Sequence, residues 1–174
     1  MKIKLFLELI KLRLTLLVTF SAVFGFLLSS NEIDYFSLFI LIISGVFITG
    51  SSVINNQIIE KNLDKLMNRT KGRPLPTNKL SSKNALIISI ILAILGLSLM
   101  VIFLNNLTAL LSFISLILYT FIYTPLKRVG PIAVFVGAIP GALPPLIGWA
   151  ASSNTISLEA IIIFSIQFIW QFPH

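Results

Sequence analysis

The chain has 174 residues, of which 56% are hydrophobic and only 11% charged, and its mean hydropathy is +0.99. A soluble core of this size needs no such apolarity, so the composition excludes an ordinary soluble domain and indicates a polytopic membrane protein. The lack of cysteine excludes a disulfide framework and any thiolate metal centre. The net charge of +7 sits in short loops between apolar runs and not on one nucleic-acid-binding face.

About twenty apolar residues cross a bilayer as a helix. On that length the chain reads as an all-α transmembrane bundle with roughly six spans, at 12–30, 35–57, 84–104, 107–124, 131–151 and 156–174. Neither strand alternation nor an internal repeat competes with this reading. The first span has basic flanks but no convincing small-residue cleavage site, so it reads as a retained helix and not a signal peptide. Asn105-Asn106 marks a tight turn between the third and fourth spans, and Ser152-Ser153-Asn154 a short connection after the fifth. The fifth span is interrupted by Gly137, Pro140, Gly141, Pro144, Pro145 and Gly148. Proline inside a helix costs about 3 kcal/mol and frees a carbonyl. In lipid this is tolerated only beside protein or a water-filled cavity. The expectation is a broken helix walling a cavity, or close packing of small residues, and both remain open.

The basic residues set the orientation. Lys2, Lys4, Lys11 and Arg13 precede or enter the first span. Lys61, Lys65, Arg69, Lys71, Arg73, Lys79 and Lys83 lie between the second and third, and Lys127 and Arg128 between the fourth and fifth. The opposite loops carry Asn31, Glu32, Asp34, Asn105, Asn106 and Asn154. The positive-inside rule then puts the N-terminus and both basic loops in the cytoplasm; the expected location is a cell (inner) membrane, as a multi-pass protein.

The chemistry concentrates in Asn56–Pro74. Asn56, Glu60 and Asp64 recur at four-residue spacing, so on a helix they form one oxygen-rich stripe. Hard divalent cations such as Mg²⁺ take oxygen ligands and share their shell with substrate phosphates. Arg69 and Arg73 come next, with forked donors that match phosphate oxygens. Carboxylates with arginines at a membrane face suggest a metal-bound, lipid-linked diphosphate.

At these residues the sequence resembles the UbiA-type intramembrane prenyltransferases, in the form found in heme O synthases. Asn56-x-x-x-Glu60-x-x-x-Asp64 followed by Met67-x-Arg69-Thr70-x-x-Arg73-Pro74-Leu75 looks like their first acidic motif. Tyr123-Thr124-Pro125-Leu126-Lys127-Arg128 resembles a second loop. The run from Gly137 to Trp149 resembles a Gly-Ala-x-Pro-Pro-x-Ile-Gly-Trp segment, and Trp170-Gln171-Phe172-Pro173-His174 a Trp-Gln-x-Pro-His motif. Glu60 stands where many relatives carry Asp, and Asn62 where a second Asp is common. The family has about nine membrane helices and a second acidic motif beyond the last of these. The expectation is therefore a single transmembrane prenyltransferase domain over 1–174, its C-terminal helices absent, that is inactive alone.

The resemblance implies transfer of farnesyl from farnesyl diphosphate to a vinyl group of protoheme IX (heme B), giving heme O and diphosphate. It implies that Asn56, Glu60 and Asp64 are catalytic and hold Mg²⁺, and that Arg69, Arg73, Lys127 and Arg128 grip the diphosphate. It makes Trp170 and His174 candidate contacts to heme or acceptor, and heme A synthase or a terminal-oxidase assembly factor candidate partners. Competing readings are an aromatic-acceptor polyprenyltransferase of the 4-hydroxybenzoate type, a small transporter built on the Pro/Gly-rich span, and a non-catalytic assembly protein.

Overall fold

The computed structural model describes residues 3–172, and these fold into helices without a strand. A short helix α1 (Ile3–Leu9) turns at Lys11 into α2 (Leu12–Ser29). After it come α3 (Tyr35–Leu66), α4 (Ser82–Phe103), α5 (Asn106–Leu126), α6 (Ile132–Ser153) and α7 (Leu158–Trp170). The five helices α2 to α6 are long and apolar enough to cross a membrane. The sixth predicted span is present as α7, but at 13 residues it is shorter than a bilayer-crossing helix.

Helix starts coincide with the polar residues that precede them. Asp34 accepts from the Phe36 amide, Ser81 from the Asn84 amide, Asn105 from the Thr108 amide and Ser157 from the Ala160 amide. Each bond satisfies an orphan donor of a first helical turn. Helices α2, α3 and α4 show many exposed Leu, Ile and Phe side chains, as expected of surfaces that face lipid. At the end without Lys or Arg, Ser30 bonds Ser152 at 2.7 Å, and Asn105 donates to the Ala150 carbonyl at 2.8 Å. These bonds tie α2 and α5 to the end of α6.

The second span differs from expectation in length. Helix α3 does not stop at 57 but runs to Leu66, 32 residues in all. At 1.5 Å per residue it is about 48 Å long, against a hydrocarbon core of about 30 Å. Its polar last turns therefore stand clear of the core, with the Asn56–Asp64 stripe still on regular helix.

The fifth span corrects the expectation of a broken helix. Helix α6 is continuous from Ile132 to Ser153 through Pro140, Pro144 and Pro145. Its small residues let α2 lie against it. A Cβ at Gly25 would run into the Pro145 carbonyl oxygen, and one at Gly148 into the Ala22 carbonyl oxygen. Close backbone approach through small residues is how membrane helices gain packing energy. Phe26, Leu143, Leu146, Ile147 and Ala150 surround this crossing and form the main core with Leu41 and Leu111.

Gly148→Val is expected to destabilise the bundle by at least about 2 kcal/mol, because the neighbouring atom is backbone and cannot rotate away. Gly72 has no atom within 4 Å of an added Cβ. Gly72→Ala serves as the neutral control when melting temperatures are compared in the same detergent.

Candidate active site at the charged end of the bundle

The stripe on α3 is where buried polar atoms collect. Asn56 and Asp64 are buried and Glu60 is half-buried. Asp64 would be costly to bury alone; both its oxygens accept from Arg73 Nη1, at 2.8 and 2.7 Å. The segment after α3 folds back to make this possible. Met67 O accepts the amides of Thr70 and Lys71, and the buried Thr70 hydroxyl donates to Asp64 O at 2.9 Å. Leu75 is fully buried against Leu9, Ile54 and Ala85 and anchors the returning segment. The Thr-x-x-Arg-Pro-Leu spacing thus encodes a loop that returns its arginine to the aspartate nine residues earlier.

A second ion pair comes from α5. Lys127 Nζ lies 3.3 Å from Glu60 Oε1 and 4.6 Å from the Tyr123 ring centroid. Arg128 Nη2 donates to the Ile59 carbonyl at 2.9 Å. The last turns of α5 are wound as a π-helix over Leu118–Tyr123. Thr124 is next, and its hydroxyl lies 3.2 Å from Asn56 Nδ2.

A cavity of about 420 Å³ lies among α2 to α7 and is linked to these charged groups through Tyr123, whose ring lies under Lys127. Its walls carry Val53, one turn before Asn56, together with Tyr119 and Tyr123 and the proline-rich face of α6 at Gly137, Pro140, Gly141 and Pro144. Both readings of the fifth span therefore hold in part: α6 packs closely on α2 and also walls a cavity. Thr19 and Ser112 line the same space with buried hydroxyls that have no partner among the described residues. The arrangement is an apolar chamber with aromatic rings near a mouth of paired charges, suited to a molecule with a long apolar tail and an anionic head.

The structure brings Asn56, Glu60, Asp64, Arg73, Lys127 and Arg128 together. It does not bring in Arg69, which is exposed and makes no hydrogen bond or ion pair among the described residues. Trp170 is 62% exposed on α7, and His174 lies outside the described residues, as does Lys2. Lys11 is the residue that sequence reasoning missed. Gln57 on α3 donates to Leu9 O and Thr15 to Ile10 O, and these bonds pin the α1–α2 corner beside the stripe. Lys11 there takes a left-handed conformation, φ 47° and ψ 62°. Burial, chiefly, with help from the Arg73 guanidinium lowers its pKa to about 8, opposed by Asp64 and Glu60. Nothing in its spacing distinguishes it from a topology lysine. Tyr119 and Tyr123 were more legible: two tyrosines four apart before Thr124-Pro125 share a helix face.

Residues 17–174 match the UbiA prenyltransferase family. The chain belongs to that family. It is 47% identical to the protoheme IX farnesyltransferase of Christiangramia forsetii over 169 residues, 97% of this chain and 56% of that protein. It is 46% identical to the one from Cytophaga hutchinsonii, over 96% of this chain and 59% of that protein. The chain therefore spans a little over half the length of these curated relatives. Among solved structures, a digeranylgeranylglyceryl phosphate synthase superposes with a TM-score of 0.87 at 26% identity, covering 98% of this chain and 60% of its own. A UbiA homologue from Archaeoglobus fulgidus bound to DMAPP and Mg²⁺ superposes with a TM-score of 0.75 at 19% identity, over 97% of this chain and 62% of its own. The UbiA fold of an all-helical membrane bundle is thus the fold of this chain.

The donor set suits a hard cation but is only part of a cage. No three carboxylate, imidazole or thiolate groups converge among the described residues. Asn56 contributes an amide oxygen, and Glu60 and Asp64 carboxylates, all chemically fit for Mg²⁺. Arg73 and Lys127 now hold the two carboxylates, so a cation binding there would displace them.

The lowered Lys11 pKa fixes a pH dependence. Below about 8 the amine is charged in both states, and the folded state carries its burial in full. Between about 8 and the ordinary 10.5 the folded protein has released the proton while the unfolded chain keeps it. Stability therefore rises with pH across that window. Lys11→Met is expected to remove this rise, read as the difference in melting temperature between the two proteins from pH 7 to pH 10.

Proposed function

We propose that this chain forms the first prenyl-diphosphate-binding half of a protoheme IX farnesyltransferase, which transfers farnesyl from farnesyl diphosphate to a vinyl group of heme B and yields heme O and diphosphate. The observation that carries the reading is two ion pairs at the end of α3 beside a largely apolar, tyrosine-lined cavity, in a UbiA-family chain 47% identical to a protoheme IX farnesyltransferase.

The residues divide the work by position. Asn56, Glu60 and Asp64 would hold Mg²⁺, which when bound supplies positive charge to the leaving diphosphate oxygens. Arg73 and Lys127, released from their carboxylates, turn to the diphosphate, with Arg128 and Lys11 adding positive charge at the same mouth. Arg69, exposed and outside the cluster, contributes only as an outer cation. The farnesyl chain lies in the cavity between the helices, where its allylic cation meets the faces of Tyr119 and Tyr123. The vinyl carbon of heme attacks that cation as the diphosphate leaves, and water adds to the carbocation left on the heme side and gives up one proton to solvent, leaving a hydroxyl. Trp170 and His174 stand in this reading as acceptor contacts completed by further helices. Heme A synthase or a terminal-oxidase assembly factor is the proposed recipient of the product.

The test is a chimera in which residues 1–174 replace the matching part of the Christiangramia forsetii protein, assayed with heme B, farnesyl diphosphate and Mg²⁺. Heme O is expected, and no prenylated 4-hydroxybenzoate when that acceptor is offered instead. Asp64→Ala and Glu60→Ala should each remove most of the activity and weaken Mg²⁺-dependent binding of farnesyl diphosphate. Near-normal turnover in both would make the stripe structural. Arg73→Lys should raise the Michaelis constant for farnesyl diphosphate more than Lys79→Ala, although it keeps its charge, because lysine cannot make a forked contact.

Orientation is part of the same reading. The charged mouth, with its basic loops, faces the cytoplasm, and the bundle sits in the cell (inner) membrane. Cysteine placed at the exposed Gly72 should react with an impermeant thiol reagent only after the cytoplasmic face is opened. Labelling in intact cells would reverse the topology.

A further inference from the structure

Tyr123-Thr124 belongs to the second motif of the sequence, yet the proposed reaction gives Thr124 no part. Thr124 is fully buried, and two bonds define its hydroxyl. Its oxygen lies 2.8 Å from Tyr119 O and 3.2 Å from Asn56 Nδ2. A carbonyl only accepts, so the single hydroxyl proton goes to Tyr119. Towards Asn56 the hydroxyl can then act only as an acceptor. The amide must present its nitrogen to Thr124, and its oxygen is turned elsewhere. Asn56 Oδ1 accepts no hydrogen bond among the described residues, and it is absent from the sealed, unpartnered atoms, which are Thr19 Oγ1, Gln57 Oε1, Ser112 Oγ and Thr120 Oγ1.

From this we infer that Thr124 is a positioning residue: it locks the Asn56 amide with its oxygen free for a divalent cation held with Glu60, one helical turn along the stripe. The inference rests on the proposed reading of that stripe as a cation site. The π-helical turn is what makes the lock. Over Leu118–Tyr123 the chain winds wider than an α-helix, so both the amide and the hydroxyl of Thr124 reach Tyr119 O, five residues back. Dropping the extra residue of a π-turn would rotate the downstream residues by about 100° and carry the hydroxyl away from α3. Without Thr124 the amide is free to flip and offer its NH₂ group to a cation, a repulsive contact in place of a ligand. Partners that fix a ligand's orientation typically matter for metal affinity by roughly tenfold or more.

The experiment uses the purified 1–174 chain in lipid nanodiscs, with Mn²⁺ alone as the probe and free Mn²⁺ read by electron paramagnetic resonance. Thr124→Val, close to isosteric but without an acceptor, should weaken Mn²⁺ uptake by roughly tenfold. Thr124→Ser should stay close to the wild-type value. In an Asn56→Asp background, whose two oxygens are equivalent and need no orienting, Thr124→Val should have no effect. This loss of coupling separates positioning from a merely structural role, which would weaken uptake equally in both backgrounds. Uptake undiminished in Thr124→Val, or an equal loss in both backgrounds, would overturn this inference alone. A wild-type chain that takes up no more Mn²⁺ than Glu60→Ala or Asp64→Ala would overturn the cation stripe, and this inference with it.

Discussion

The arrangement depends on the two carboxylates of α3 being held by cations from other parts of the chain. Asp64 is buried, and removing a charge from water without a partner is prohibitive. Arg73 from the returning loop and Lys127 from α5 meet that need for Asp64 and Glu60. The same contacts draw the 67–80 loop and the end of α5 onto one helix end. Such pairs add little net stability, because desolvation offsets most of the attraction. Their value is that each is exchangeable. A ligand that brings its own cation and its own anion can take both halves of a pair at once, leaving no charge unmatched. On the proposed reading, that exchange is how a metal–diphosphate would take its place here.

Sequence reached this site where it is local and fell short where it is not. The stripe was legible because helix period alone puts Asn56, Glu60 and Asp64 on one face. The helix starts were legible from the apolar runs to within two residues, at 35, 84, 107 and 156 against the observed 35, 82, 106 and 158. Arg73 and Arg69 look alike in sequence, four residues apart in the same basic loop. Only the fold of that loop, set by Thr70 on Asp64 O and by the burial of Leu75, turns one inward and leaves the other in solvent. Lys11 escaped notice for the same reason. Its charge is placed by Gln57, 46 residues away in sequence, catching the Leu9 carbonyl. The π-turn of α5 has no residue signature at all, since its evidence is a bonding pattern.

The proline-rich helix shows a different limit. Counting helix breakers predicts a break, and propensity in water supports that count. In this bundle α6 stays continuous because α2 lies so close along it that Gly25 and Gly148 admit no side chain. Pro140, Pro144 and Pro145 lack the N–H groups that the carbonyls of Val136, Pro140 and Gly141 would otherwise meet. Two of those carbonyl-bearing residues, Pro140 and Gly141, line the cavity. The helix thus keeps its course while two residues whose carbonyls have lost a helical donor stand in the chamber wall. That is a property of packing and cannot be read from the residue types one at a time.

The position of the polar groups along α3 and α5 then orders the chemistry on the proposed reading. Charge lies at one end, where α3 passes beyond the hydrocarbon core, and aromatic and aliphatic surface begins within one helical turn of it. A prenyl diphosphate lying along this axis has its scissile carbon–oxygen bond at the boundary between the two. On the charged side, cations are strongest where water is scarce, so the leaving diphosphate is stabilised as its charge develops. On the other side the allylic cation meets tyrosine faces, which stabilise positive charge without attacking it as water would. The boundary must be sharp for this to work: a cation deeper in the cavity would repel the carbocation, and a carboxylate there would trap it. Both charged pairs lie on the Asn56–Asp64 side of Val53, and the cavity beyond Val53 is lined by hydroxyls, amides and rings but by no ionised side chain. On the proposed reading, the separation of charge from chamber along α3 is what suits this bundle to allylic transfer and not to simple binding of an anionic lipid.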